Sequence, residues 1–297
     1  MAARRPLAGV PAPTFARHDP ATALASLFRP VCRGRRPKGL DVTHRFDGAT
    51  LRFTCFEWLD VRDQSVLLAC CALAGIESST LAADAPGEVG RKLWLDLQAE
   101  HAALRDRAGV VVTTRYQVLA AAGLDNNEAS YDRLKDTLYR LSQLGIRVKL
   151  PNGQDWGMQM LSYRADGDGH LVIALNGRMV EALAGQHVRV SLSERRELPS
   201  EIAELAHCWL TAAIRQGRHM TIRLDTLAGH VWGIESANAT TRRTRRLRIA
   251  EALEALNGLH GWKVRVEGRG DHAKATIWRH RIMDDREPAE TPAIEAD

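Results

Sequence analysis

The sequence predicts an α+β protein in which one small module occurs twice in tandem. Three observations carry that expectation. Near residue 240 a cluster of arginines opens an amphipathic helix pattern, with a short helix and a turn before it and two strand candidates after it. The same order, with less charge, runs from Asp63 to Tyr163. At 297 residues the chain also has the length for two domains with separate cores.

In chain order, residues 63–74 read as an apolar helix and 110–113 as a short strand. Residues 116–122 form a short helix ended by Gly123, and LDNNEAS at 124–130 is the turn. Tyr131, Leu134, Leu138 and Leu141 then fall at helical spacing and mark a longer helix stopped by Gly145. Residues 146–150 and 158–163 read as strands across PNGQD, whose Asn-Gly is a hairpin signal. On a helical wheel Asn126, Ser130, Arg133 and Arg140 point away from the leucine stripe, where they can reach DNA. Glu128, Asp132 and Asp136 dilute that charge, so DNA contact and a structural or dimerising role both stay open for this copy.

The second copy begins with a helix over 200–216, with Ile202, Leu205, Ala206, Trp209 and Leu210 on its inner side. Residues 221–224 read as a strand and Asp225 as a cap; Leu224, Leu227, Ala228 and Val231 make one stripe of a short helix. Gly233 and the polar run 235–238 supply a turn, with Ser236 or Asn238 to cap the next helix. That helix, ATTRRTRRLRIAEALEALN at 239–257, aims Ile249, Leu253 and Leu256 at a core. Gly261 ends it, 262–266 alternates as a strand, GRGD at 268–271 turns, and 273–279 returns. Helix, strand, helix, turn, basic helix and hairpin is the order of a winged helix. The predicted architecture is therefore two tandem winged-helix domains, over 40–192 and 193–282. A basic flexible arm over 1–39 precedes them and an acidic disordered tail over 283–297 follows.

The arginine helix implies a nucleic-acid partner. A solvated face usually mixes Glu with its Arg, and this one has no acid before Glu251. With Leu253 at the centre of the core stripe, Thr241, Thr244, Arg245 and Arg248 face outward. Arg pairs bidentately with guanine O6 and N7, and Thr meets the thymine methyl. Arg242, Arg243 and Arg246 lie at the flanks, where phosphates pass and contacts supply affinity. In the hairpin, Lys263, Arg265, Arg269, Lys274 and Arg279 are available to phosphates. Asn126, Ser130 and Arg133 of the first copy would read a neighbouring groove segment more weakly.

Composition agrees and excludes several other classes. The net charge is +5, and Arg4, Arg5, Arg17, Arg33, Arg35, Arg36 and Lys38 crowd the N-terminal arm with few acids. Five cysteines show no CxxC or zinc spacing, which fits buried thiols in a reducing bacterial cytoplasm. No apolar run is long enough to span a membrane, and no signal-peptide pattern is present. There is no Walker A loop, GxGxxG, HExxH or nucleophile elbow. His207 beside Cys208 reads as a packed pair rather than a metal site. ADGDG at 165–169 reads as a hairpin turn, because the later ligands of a calcium loop are missing. Asp284 and Asp285 lie in the tail, where they cannot preorganise catalysis. No catalytic residue, cofactor or metal is expected.

Several segments also resemble a known family. HDPA (18–21), LFR (27–29), LDVT (40–43), QHVRV (186–190) and DTLAGHVW (225–232), with the TRRTRRLRIAEAL helix and then Gly261-Trp262, resemble the RepC replication initiators of IncQ-type plasmids. The likeness runs from about His18 to about Arg281 and is densest over 174–266; 46–107 is much less alike. The resemblance implies an initiator that binds directly repeated sites, iterons, as double-stranded DNA in a plasmid origin. It implies opening of an adjacent A+T-rich segment, so that a plasmid-encoded hexameric helicase and a dedicated primase can load. It also implies a twin winged-helix fold, in which one domain mediates self-association, giving a homodimer. The rival class is a winged-helix transcriptional regulator acting on its own promoter. A relaxase or recombinase is disfavoured, since no Tyr or Ser nucleophile stands beside a His or metal-ligand cluster.

Overall fold

The computed structural model describes residues 13–31, 36–76, 79–81, 88–101, 108–236 and 238–281. The acidic tail, Cys32, Arg33, Arg35 and the first twelve residues of the arm lie outside that description.

The chain opens with β1 (Phe15–His18) and α1 (Pro20–Leu24). Asp19 caps α1 by accepting the Thr22 N–H at 2.8 Å, and Pro20 takes a position where no N–H is needed. A hairpin follows, β2 (Lys38–Phe46) and β3 (Ala49–Glu57), turned by Asp47 and Gly48 with φ of 47° and 75°. The helix α2 (Val61–Ile76) is fully buried from Val66 to Cys71, as an all-round apolar sequence requires. Then come β4 (Ser79–Leu81), α3 (Glu88–Asp96), β5 (Glu100–His101) and β6 (Ala108–Thr114).

Two helices form the first helix-turn-helix, α4 (Arg115–Ala122) and α5 (Glu128–Ser142). Thr114 and Gln117 make a capping box on α4, Gly123 closes it in the left-handed region, and Asn127 caps α5. Leu134, Leu138 and Leu141 are buried, as the stripe predicts. Beyond them lie β7 (Gly145–Lys149), β8 (Asp155–Gln159), β9 (Leu161–Ala165), β10 (His170–Leu175), α6 (Gly177–Ala184), β11 (Val188–Ser191) and α7 (Leu192–Glu197). The ADGDG segment is the β9–β10 turn, where Asp166 holds the His170 N–H at 2.8 Å.

The second unit is α8 (Glu201–Ala213), β12 (Arg218–Arg223), α9 (Leu224–Trp232), α10 (Ala239–Asn257), β13 (Trp262–Glu267) and β14 (Lys274–Arg279). Its sheet has the order β12-β14-β13. In the first unit the orders are β2-β3-β7-β8-β5 and β4-β6-β10-β9, while β1 pairs with β11. The architecture is thus mixed α+β, with small antiparallel sheets and two winged-helix-like units.

Five expectations are corrected. The strand foreseen over 158–163 breaks at Met160, whose fully buried side chain marks where the chain leaves one sheet for the other. Gly145 already belongs to β7; α5 stops at Ser142 with Gln143 as cap. Similarly α10 stops at Asn257 with Gly258, and α8 at Ala213, where Ile214 turns extended and buried. The arm is structured over the described residues 13–31: Ala16, Ala21, Leu27 and Phe28 are buried in the shared core.

This N-terminal segment touches both units. Phe28 bridges to Leu59, the Arg29 N–H donates to the Leu59 carbonyl at 2.8 Å, and its guanidinium lies 4.6 Å from the Trp58 ring. The same guanidinium packs on Gly233, in the turn ahead of α10. Deeper in the junction, Arg195 donates to Gln64 and Ser65 of α2 and to the Glu204 carboxylate of α8, all at about 3 Å.

Gly233 has φ of 67°, and a Cβ there would lie 2.2 Å from the Arg29 Nε. Gly233→Ala is therefore expected to cost about 1–2 kcal/mol from the left-handed backbone alone, and more from displacing Arg29. Urea denaturation should show a lower midpoint with an unchanged slope.

Candidate nucleic-acid interface

The interface is built on α10. Asn238 caps it, accepting the Thr240 and Thr241 N–H groups at 2.8 and 3.2 Å. Ser236 instead donates its hydroxyl to the Asn238 carbonyl. Ile249, Leu253 and Leu256 are fully buried and fix which side of the helix faces solvent. On the other side Thr241, Arg243, Thr244 and Arg248 are exposed, with Leu247 among them at 61%. The Thr244 hydroxyl donates back to the Thr240 carbonyl, so what it offers a partner is chiefly its methyl.

Three arginines of the cluster are engaged within the protein. Arg242 donates to the Ser236 carbonyl at 3.0 Å. Arg245, expected to face outward, donates to the Ile234 carbonyl at 2.7 Å and lies over the Trp232 ring. Arg246, expected at the phosphate flank, bonds the Asp225 carboxylate at 2.6 Å and that of Asp271 in the hairpin turn. For Arg242 and Arg245 the cause is local: the turn leaves carbonyls without helical partners beside the first turns of α10, and guanidinium groups satisfy them. Asp225 is accordingly no cap but an anchor inside the first turn of α9.

Residues of the hairpin divide by face. Arg269 is exposed at the turn, whereas Lys263, Arg265 and Lys274 project from the strands. Arg265 and Lys274 flank Glu267 at 2.9 and 3.8 Å. Arg279, expected to meet phosphate, turns inward to the Thr211 and Ile214 carbonyls and stacks on Trp262.

In the first unit, Arg133 is exposed, and Asn126 is exposed with its side-chain carbonyl accepting the Tyr131 hydroxyl. Two wheel assignments are corrected. Ser130 is only 2% exposed, tucked beneath its own cap, and Arg140 is drawn onto the buried Asp63 at 2.8 Å. Arg36 reaches the same carboxylate at 3.0 Å.

Several buried titratable groups pack inside the protein instead. His207 is buried between the Glu194 carboxylate, at 2.7 Å, and the Trp262 ring, and burial lowers its pKa. Burial also pulls His18 down to about 4 and pushes the thiols of Cys70 and Cys208 up to about 12 and about 11. Among the described residues there is no cluster of His, Cys, Asp or Glu fit to hold a metal, and no helix long and apolar enough to cross a membrane.

The helix-turn-helix with its exposed Arg and Thr row, set against the sheet β12-β14-β13, lies within the span of a family model. The model described as Replication protein C (RepC) aligns with residues 12–275. The chain belongs to the RepC family. The match begins ahead of β1, so it takes in the N-terminal segment. Family membership gives the chain a role in plasmid origin binding and replication initiation, as a non-enzymatic DNA-binding protein. Two crystal structures of domains 2 and 3 of RctB, one of a selenomethionine derivative, share the fold. They superpose with TM-scores of 0.56 and 0.52 at 9% and 11% identity, covering 89% and 88% of this chain and 99% and 97% of theirs. None of the curated proteins compared with the chain matches it.

Proposed function

We propose that this RepC-family chain docks α10 in the major groove of directly repeated sites. The observation that carries this reading is the acid-free row of Thr241, Arg243, Thr244 and Arg248, exposed on a helix whose opposite side is fully buried. Arg248 and the two threonines face base edges, while Arg243 and Arg269 meet phosphates. Arg242, Arg245 and Arg246 support contact indirectly, by fixing the turn and the hairpin against the helix. Asn126 and Arg133 of α5 give the first unit a weaker hold on a neighbouring groove segment. Two linked modules raise effective concentration, so each can be weak alone. The working division stays at 40–192 and 193–282, with residues 13–31 tying the two together, and the first unit serves self-association as a homodimer.

Occupying several adjacent repeats supplies the energy to bend and unpair flexible A+T-rich steps nearby, in the bacterial cytoplasm, for a helicase and primase to load. Neither nucleotide nor metal is needed for that step.

The test uses purified protein on supercoiled origin DNA with a single-strand-specific probe of thymines. Reactivity should appear beside the repeats without nucleotide, and extend with the cognate helicase only when ATP is present. Negative supercoiling should be required, since it stores unwinding energy. Full occupancy of the repeats with no unpaired bases, with or without helicase, would replace this reading by a transcriptional regulator.

A further inference from the structure

The sheet β12-β14-β13 has two unlike faces. One register row joins Met220, Ile277 and Val264, and another places Ala275 between Ile222 and Val266. Ile277 and Ala275 are fully buried against the helices. Side chains alternate along a strand, so the intervening rows point away from the helices. The first of these rows sets Trp278 between His219 and Lys263. The Trp278 ring is half-buried, its centroid 6.1 Å from that of His219 and 5.9 Å from the Lys263 ammonium. In the next row the hydroxyls of Thr221 and Thr276 bond each other at 3.0 Å beside Arg265, which is 72% exposed. Arg223 and Lys274 complete the face, and Glu267 is its one carboxylate among the described strand residues.

We propose that this outer face binds single-stranded DNA. Trp278 is the stacking platform for a base, and Lys263, Arg265, Arg223 and Lys274 track the phosphates. A duplex shows a protein its base edges, whereas a partly exposed indole beside an imidazole and an ammonium matches a base whose face is open. The charge is complementary to a polyanion, four cations standing against one carboxylate. α10 packs on the opposite side of the same sheet, so one module can hold a duplex repeat and a freed strand together. Lys263, Arg265 and Lys274 are thereby assigned to the strand rather than to the duplex. The inference rests on the opening reading above, which supplies the strand.

Fluorescence anisotropy of the full chain with labelled oligodeoxythymidine of about twenty nucleotides tests it. Trp278→Ala should weaken binding roughly tenfold or more, and Trp278→Phe should keep most of it. Lys263→Ala with Arg265→Ala should flatten the dependence of log affinity on log salt, by about 0.7 per lost phosphate contact. Affinity for a duplex repeat should be unchanged in each variant, which also shows that each is folded. Wild-type protein that binds the duplex but not oligodeoxythymidine overturns the proposal. So does single-strand affinity that Trp278→Ala leaves intact; the face would then suit an acidic protein partner. Protein that binds oligodeoxythymidine through Trp278 yet opens no supercoiled origin overturns the opening reading and leaves this one standing.

Discussion

Arg140→Ala should destabilise the fold by about 3 kcal/mol, toward the lower end for breaking a buried ion pair because Arg36 keeps its hold. Asp63 is completely buried, with Arg140 at 2.8 Å and Arg36 at 3.0 Å. Burial, and after it the neighbouring charge of Asp60, raise the Asp63 carboxyl above its ordinary 3.8. The native state therefore keeps this proton to a higher pH than the unfolded chain does. Its contribution is fully present below the unfolded value and is lost as pH rises through the folded one. With one guanidinium gone the ionised form is worse off, so the gap between variant and wild type should narrow as pH falls. Denaturant titrations at several pH values measure this; a gap that widens toward acid would show that Arg140 does not stabilise the charged carboxylate.

Arg248→Ala should cost about 1–3 kcal/mol at the specific repeat and relax discrimination at one base position. Arg243→Ala should instead weaken specific and non-specific binding alike, lowering the salt slope by about one. Titration against single-base variants at several salt concentrations separates the two. Equal losses across all variants for Arg248→Ala would make that side chain a phosphate contact.

Much of the second unit was legible from periodicity alone. Leu224, Leu227, Ala228 and Val231, then Ile249, Leu253 and Leu256, are all buried as their spacing demands. A helical wheel sees one helix at a time, however. The partners of Arg245 and Arg246 are a turn carbonyl and two carboxylates contributed by α9 and the hairpin, so no wheel could have turned those side chains inward. Arg140 was misplaced for the same reason, since its partner Asp63 comes from α2, while Ser130 is drawn in at its own cap, Asn127. The β2–β3 hairpin did leave a signal that went unread: Asp47-Gly48 between alternating segments is a two-residue hairpin turn. Trp278 and His219 were likewise overlooked, because only the register of three strands brings them side by side.

The pairing of β1 with β11 has a consequence for how the chain is made. His18 meets Val188, so the strand waits on the ribosome for a partner on the order of 170 residues later. At roughly 5–20 residues per second that wait lasts about ten seconds or more. During it Ala16, Leu27 and Phe28 have no finished core to enter, and the nascent chain carries an unpaired strand and bare apolar side chains. Closure is a late, long-range event with a large loop-entropy cost. Moving residues 13–31 to the C-terminal end by circular permutation should shorten that exposure and raise the soluble yield.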